Sequence, residues 1–258
     1  VNILRNRSSL CRRSFVLLGG AAALVGLAGC TAARTVRPAM SEARFPAPQG
    51  AVVRSHADLS YYTSIYAERP DEKFPLPAIP VESVDPAYLR QLVDDPTGEP
   101  PGTLVVDTAN HLLYLTMENG KAMRYGVGLG RAGFEWSGRG VIQYKRAWPR
   151  WMPPDEMVAR QPELEEFSIA KGGMEPGLDN PLGARALYIF QNGQDTLYRI
   201  HGSPEWWTIG RSVSSGCVRM INQDVIDLYE RVPNGTPILV VGPSRSVESF
   251  ADPYSAAL

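Results

Sequence analysis

Thr103-Leu-Val-Val-Asp107, Thr108-Ala-Asn110 and His111-Leu-Leu-Tyr-Leu-Thr-Met117 follow one another without a break. Two apolar runs flanking a short polar turn read as paired antiparallel strands. Glu118-Asn-Gly120 is a second turn, and Ala122-Met-Arg-Tyr-Gly-Val127 beyond it completes a predicted three-stranded meander. Downstream, Val141 to Lys145, Ala186-Leu-Tyr-Ile-Phe190, Leu197-Tyr-Arg-Ile-His201 and Thr236-Pro-Ile-Leu-Val-Val241 also read as strands. Trp148 to Glu156 reads as irregular, with a short helix after Pro154. One amphipathic helix stands out: Val225, Leu228, Tyr229 and Val232 fall at i, i+3, i+4 and i+7, with Asn222 as its cap and Pro233 to Gly235 as its stop. The 24 Gly and 22 Pro favour a turn-rich, mainly β fold over a helical bundle.

Upstream of Gly102 the texture differs. Prolines recur from Pro38 to Pro101, and no long periodic segment appears. This reads as a tether followed by an extended segment packed on the main domain. Pro86 to Asp95 is expected as a short helix capped by Asp85, with Leu89, Leu92 and Val93 facing inward. At the start, a basic stretch ending at Arg13 precedes the apolar run Phe15 to Ala28. That run is short for a spanning helix, which needs roughly 20 residues, and suits a signal-peptide core, a membrane anchor being the other reading. Setting aside Arg5, Arg7, Arg12 and Arg13 from the 26 Lys+Arg leaves 22 against 27 Asp+Glu, a net charge of -5. A weakly acidic body without a basic run argues against a nucleic-acid partner.

Of the three cysteines, Cys11 and Cys30 lie in or beside the leader, so Cys217 is the one thiol of the body. An unpaired thiol in an exported protein is either buried and inert or kept for chemistry. His201 ends an apolar strand before Gly202, and sixteen residues later comes Ser214-Ser-Gly-Cys217. Small residues before the cysteine leave backbone amides free to face an oxyanion, and a nearby imidazole can hold a thiol as thiolate. Chemistry alone therefore suggests a Cys-His acyl-transfer site, with one buried cysteine and one structural histidine as the alternative. His111, beside a turn, reads as a surface residue, and His56 lies in the N-terminal segment.

His201-Gly202-Ser203, Ile209-Gly210 and Ser214-Ser-Gly-Cys-Val-Arg-Met220 resemble the signature of the YkuD-type L,D-transpeptidase domain of ErfK/YbiS-like proteins. Asn180-Pro-Leu-Gly183, the opening meander and the closing helix and strand are similar as well. The resemblance implies a β-sandwich with a catalytic loop and a short C-terminal helix. It also implies peptidoglycan tetrapeptide stems as donors, with stem-stem cross-links or protein attachment as products. Cys217 would be the nucleophile, His201 the base and acid, and the Gly202 carbonyl the group orienting the imidazole. Amides of Ser215, Gly216 and Cys217 would form the oxyanion hole. Arg219 would hold an anionic group of the stem or serve as a structural ion pair; Trp206 and Trp207 would wall the cleft or pack in the core. No metal or organic cofactor is expected. Ser215 stands where the family often has histidine, and Phe134 to Gly138 replaces a frequent Thr-Pro-x-Gly turn.

Leu27-Ala-Gly-Cys30 also resembles a lipobox and Arg12-Arg13-Ser-Phe-Val16 a twin-arginine signal, implying an exported, periplasmic lipoprotein anchored to membrane through Cys30. The expected organisation is a signal peptide over 1–29, a tether and extended segment over 30–101, the catalytic domain over 102–242 and a tail over 243–258. A carboxypeptidase or amidase of the same fold and a non-catalytic peptidoglycan-binding lipoprotein are the competing readings. A sortase does not fit the His-to-Cys spacing.

Overall fold

The computed structural model describes residues 56–130, 136–214 and 216–242. The expected signal peptide, the lipidated Cys30, the tether up to residue 55, Ser215 and the tail lie outside them. In chain order the first elements are α1 (His56–Ile65), β1 (Gln91–Asp94), β2 (Leu104–Asp107), β3 (Leu112–Met117), β4 (Lys121–Gly126) and β5 (Leu129–Gly130). Then come β6 (Gly138–Ala147), α2 (Asp155–Arg160), β7 (Arg185–Gln191) and β8 (Gln194–Ser203). The last are β9 (Ser212–Ser214), β10 (Val218–Ile221), α3 (Asn222–Arg231) and β11 (Pro237–Val241).

Nine strands form one mixed sheet in the order β1-β4-β3-β2-β11-β6-β7-β8-β10, and β5 pairs with β9 separately. Only β2–β11 and β8–β10 are parallel within the large sheet. Beyond β4, Gly128 and Arg219 exchange both backbone hydrogen bonds, at 2.9 and 2.8 Å. That bridge draws the β4 side of the sheet against β10, so the expected sandwich is one sheet wrapped around a shared core. Leu104, Val106, Leu113 and Leu115 from one half meet Ile142, Leu187, Ile189, Ile200, Val218 and Met220 from the other. Each such side chain contributes about 1.5–3 kcal/mol by leaving water.

β2 is buried at every position, which explains its unbroken apolar run. Its second face belongs to another cluster, in which Val105, Leu112, Tyr114 and Ala122 meet Tyr88 and Val93. The segment before Gly102 is therefore part of the packing. The expected helix over 86–95 is not found: Asp85 does cap, accepting Ala87 N–H at 2.9 Å, but the turn ends at Tyr88. Gln91–Asp94 instead adds β1 to the open edge of β4, leaving Leu92 59% exposed. Edge hydrogen bonds outweigh a short helix with few inward contacts.

Helix α3 buries Val225, Ile226 and Leu228. Its cap is Ile221 rather than Asn222, because the Asn222 side chain is engaged elsewhere. Its Oδ1 accepts Ala184 N–H at 2.9 Å and its Nδ2 donates to the Ser203 carbonyl at 3.2 Å. A Cβ at Gly183 or Gly202 would collide with that Oδ1, so both positions need glycine for close approach. The expected helix after Pro154 is α2. Among the described residues no helix is long and apolar enough to cross a membrane.

Candidate active site

His201 lies near the end of β8, opposite Ala186 of β7 on one side and Arg219 of β10 on the other. Ile200, Val218 and Met220 point into the core. Strand alternation therefore sends Arg199, His201 and Arg219 to the opposite face. Continuing the β8–β10 register back by one residue sets Cys217 beside Arg199, on that same face. Ideal strand spacing puts the Cα atoms of Cys217 and His201, diagonal neighbours, about 8 Å apart.

His201 is 4% exposed, and its Nδ1 lies 2.6 Å from the Gly202 carbonyl. A carbonyl only accepts, so Nδ1 carries the proton in that bond. Burial lowers the imidazole pKa to about 4; the Gly202 and Pro181 carbonyls push it up, and Arg219 and Arg199 push it down. Cys217 is partly exposed, yet burial raises its thiol, against a hydrogen bond from the Arg199 backbone and the charges of Arg199 and Arg219. Burial thus works against the charged form of both groups. A thiol and an imidazole so placed can exchange a proton and attack an acyl carbon.

Arg219 donates to Glu205 Oε2 at 2.6 Å and has a 19% exposed side chain, so it is an ion-pair member in this state. Trp206 packs against the cluster of Tyr62, Leu89 and Ile209, whereas Trp207 stays 52% exposed, edge-on to Trp206 at 5.8 Å. With Asp85, Tyr88 and Arg211 they line a cavity of about 320 Å³ whose lining includes neither Cys217 nor His201.

His111 departs from its expected surface position. It is half-buried, with Nε2 2.9 Å from Ser212 Oγ of β9, because β5–β9 pairing folds the segment before Cys217 toward the meander. Ser215 lies outside the described residues, and Gly216 has φ 128°, a conformation that favours glycine. Arg199 was not singled out from sequence, although it stands two residues before His201 and so shares its face. Among the described residues no group of three His, Cys, Asp or Glu could hold a metal.

Residues 101–240 match the family model for YkuD, the L,D-transpeptidase catalytic domain. "Putative L,D-transpeptidase YqjB" of Bacillus subtilis is 40% identical over 81 residues, covering 31% of this chain and 46% of that protein. "Probable L,D-transpeptidase YbiS" of Escherichia coli is 37% identical over 116 residues, covering 43% of this chain and 35% of that one. The chain thus spans less than half the length of these curated relatives. A solved Brucella melitensis structure, a "Probable carnitine operon oxidoreductase", is 49% identical, covering 60% of this chain and 94% of its own, with a TM-score of 0.43.

Proposed function

Because this chain belongs to the YkuD family of L,D-transpeptidase catalytic domains, we propose that it is a peptidoglycan L,D-transpeptidase with Cys217 as nucleophile and His201 as general base and acid. The observation that supports this reading is the β8–β10 register, which sets His201 opposite Arg219 and, continued by one residue, brings Cys217 beside Arg199, with the imidazole held through Nδ1 by Gly202. With Nδ1 protonated, Nε2 is the basic lone pair of the ring. It takes the Cys217 proton as sulfur attacks the carbonyl of the L-centre of the diamino acid in a tetrapeptide stem. Backbone amides around Ser215 to Cys217 hold the oxyanion. His201 then returns the proton to the departing amine, terminal D-alanine leaves, and a thioester remains. The amine of a second stem or of a protein lysine resolves it into a cross-link or a protein attachment. Water as acceptor would make the enzyme a carboxypeptidase.

Because burial opposes the charge on both groups, proton transfer during attack is favoured over a standing ion pair. Arg219 meets the anionic end of the stem only if Glu205 yields. We further propose that the protein is exported to the periplasm and anchored through lipidated Cys30, on the support of the Arg12-Arg13 and Leu27-Ala-Gly-Cys30 sequences. Wild type should then fractionate with membranes and Cys30→Ser should not; equal distribution of the two would remove the anchor. The activity is tested by incubating purified sacculi with the enzyme and analysing muropeptides by mass spectrometry. New cross-links that lack the terminal D-alanine of the donor are expected. Loss of D-alanine without cross-links would favour the carboxypeptidase, and unchanged muropeptides would overturn both.

A further inference from the structure

Resting on that reading, we propose that Arg199 is a positioning residue whose fixed guanidinium charge favours the Cys217 thiolate, in a chain where Ser215 replaces the second imidazole. Arg199 stands opposite Tyr188 of β7, and its guanidinium lies 4.5 Å from the centre of that ring. Tyr188 stacks on Tyr144 of β6 at 4.2 Å with 20° between planes, and Arg146 closes the column 5.7 Å from Tyr144. Row by row on β6, β7 and β8 the outer face reads Tyr144, Tyr188 and Arg199, and extending the β8–β10 register by one residue brings Cys217, just before β10, next to Arg199. The column ends beside the nucleophile.

The arginine is also clamped. Nη1 donates to Asp195 Oδ1 at 2.7 Å and to the Tyr198 carbonyl at 2.9 Å, and Nη2 donates to Asp195 Oδ2 at 2.8 Å. Its side chain is 15% exposed. With both terminal nitrogens engaged and one face on a ring, it is poorly placed to swing out and grip a substrate carboxylate. What it can supply is a permanent charge at a fixed place. The charge of Arg199 favours thiolate at Cys217 and disfavours imidazolium at His201 before substrate arrives, so it acts on the nucleophile rather than on its base. Asp195, paired to it, moderates that field. Arg219, two residues beyond Cys217, adds to it and is likewise paired, to Glu205.

The alternative is a staple: Asp195 and Arg199, four residues apart on β8, would simply hold that irregular stretch of strand in shape. The two roles separate in the pH dependence of Cys217 alkylation. Iodoacetamide forms the S–C bond from thiolate with loss of iodide, so the rate tracks ionisation without any stem peptide. The full chain is alkylated across pH and the peptide carrying Cys217 is quantified by mass spectrometry, which sets Cys11 and Cys30 aside. Arg199→Gln should raise the midpoint by at least about half a pH unit, a roughly threefold slower reaction at pH 7. Arg199→Lys, which keeps the charge, should recover most of the shift. Asp195→Asn, which removes the moderating carboxylate, should lower the midpoint. A staple would move both neutralising variants the same way or neither, and that result overturns the proposal; if Arg199→Gln does not fold, an unchanged or raised midpoint in Asp195→Asn overturns it alone. Shifts as expected in a protein that alters no muropeptides would instead sink the proposed activity and leave this role of Arg199 standing.

Discussion

Two buried ionisable clusters in this molecule treat charge in opposite ways. At the Cys217–His201 face the close partners are backbone groups: the Gly202 and Pro181 carbonyls and the Arg199 amide. At the other, under α1 and against α3, the partners are mainly side chains. Tyr66 donates to Asp224 at 3.0 Å and accepts Arg90 N–H at 2.8 Å; Arg90 pairs with Asp227 at 2.9 Å; Tyr125 and Arg231 donate to Asp227 at 2.6 and 2.8 Å. Burial works against Asp227, but those donors hold its carboxyl below the ordinary value. Side-chain partners thus fix charges and fasten the segment before Gly102 to the domain. Backbone partners at Cys217 and His201 bring no counter-charge of their own, and burial opposes the charged form of each.

If that contrast is right, mutations in the two clusters should separate activity from stability. His201→Ala should slow acylation at least about a hundredfold with an unchanged circular-dichroism spectrum, since general acid–base help is worth about 10²- to 10⁴-fold. Equal rates would make His201 structural. Arg90→Met should do the reverse. Removing one partner of a buried network costs about 3–5 kcal/mol, so the melting temperature should fall by roughly 10 °C with acylation per folded molecule preserved. A melting temperature unchanged by Arg90→Met would mean the fastening is made elsewhere.

Within the second cluster Asp224 is the weak member. Arg90 reaches it only at 3.7 Å, its Oδ1 lacks a hydrogen bond, and burial raises its pKa to about 7 despite Arg90 and Tyr66. A raised folded value means the folded state keeps a proton that the unfolded chain loses above about pH 4. This contribution to stability is complete below that pH and is lost as pH rises through 7. Asp224→Asn, neutral throughout, should therefore melt a few degrees above wild type at pH 8, the gain fading by pH 4. His201 has the opposite sign: its folded value near 4 lies below 6.5, so its contribution is present above 6.5 and is lost on acidification toward 4. A gain that grows on acidification would reverse the Asp224 assignment. The smallest effect belongs to Ser215→Ala, which keeps the backbone amide and should slow acylation less than about tenfold.

Much of the sheet was legible because β2, β3, β4, β7, β8 and β11 are apolar runs between turns. β1 was not: Leu92 and Val93 are adjacent, and only the free edge of β4 decides between helix and strand. Helix α1 escaped because it is held by Tyr62 and Tyr66 sinking into a tertiary cluster rather than by an apolar stripe. Asn222 looked like a cap because nothing local shows that Ala184 and Ser203 need its amide. His201 and Cys217 were readable from the small residues around them, but the Arg199–Tyr188 column appears only once the β7–β8 register is known. Arg90 and Asp224 stand too far apart in sequence for any local pattern to join them.

The proposed mechanism makes Cys217 the acyl-accepting nucleophile. A carbapenem offers a strained acyl carbonyl to a thiolate, so intact-mass analysis after incubation with the purified protein tests it directly. One adduct per chain is expected, mapping to Cys217 and missing from Cys217→Ala. No adduct on wild type, or an adduct that persists in Cys217→Ala, would contradict it.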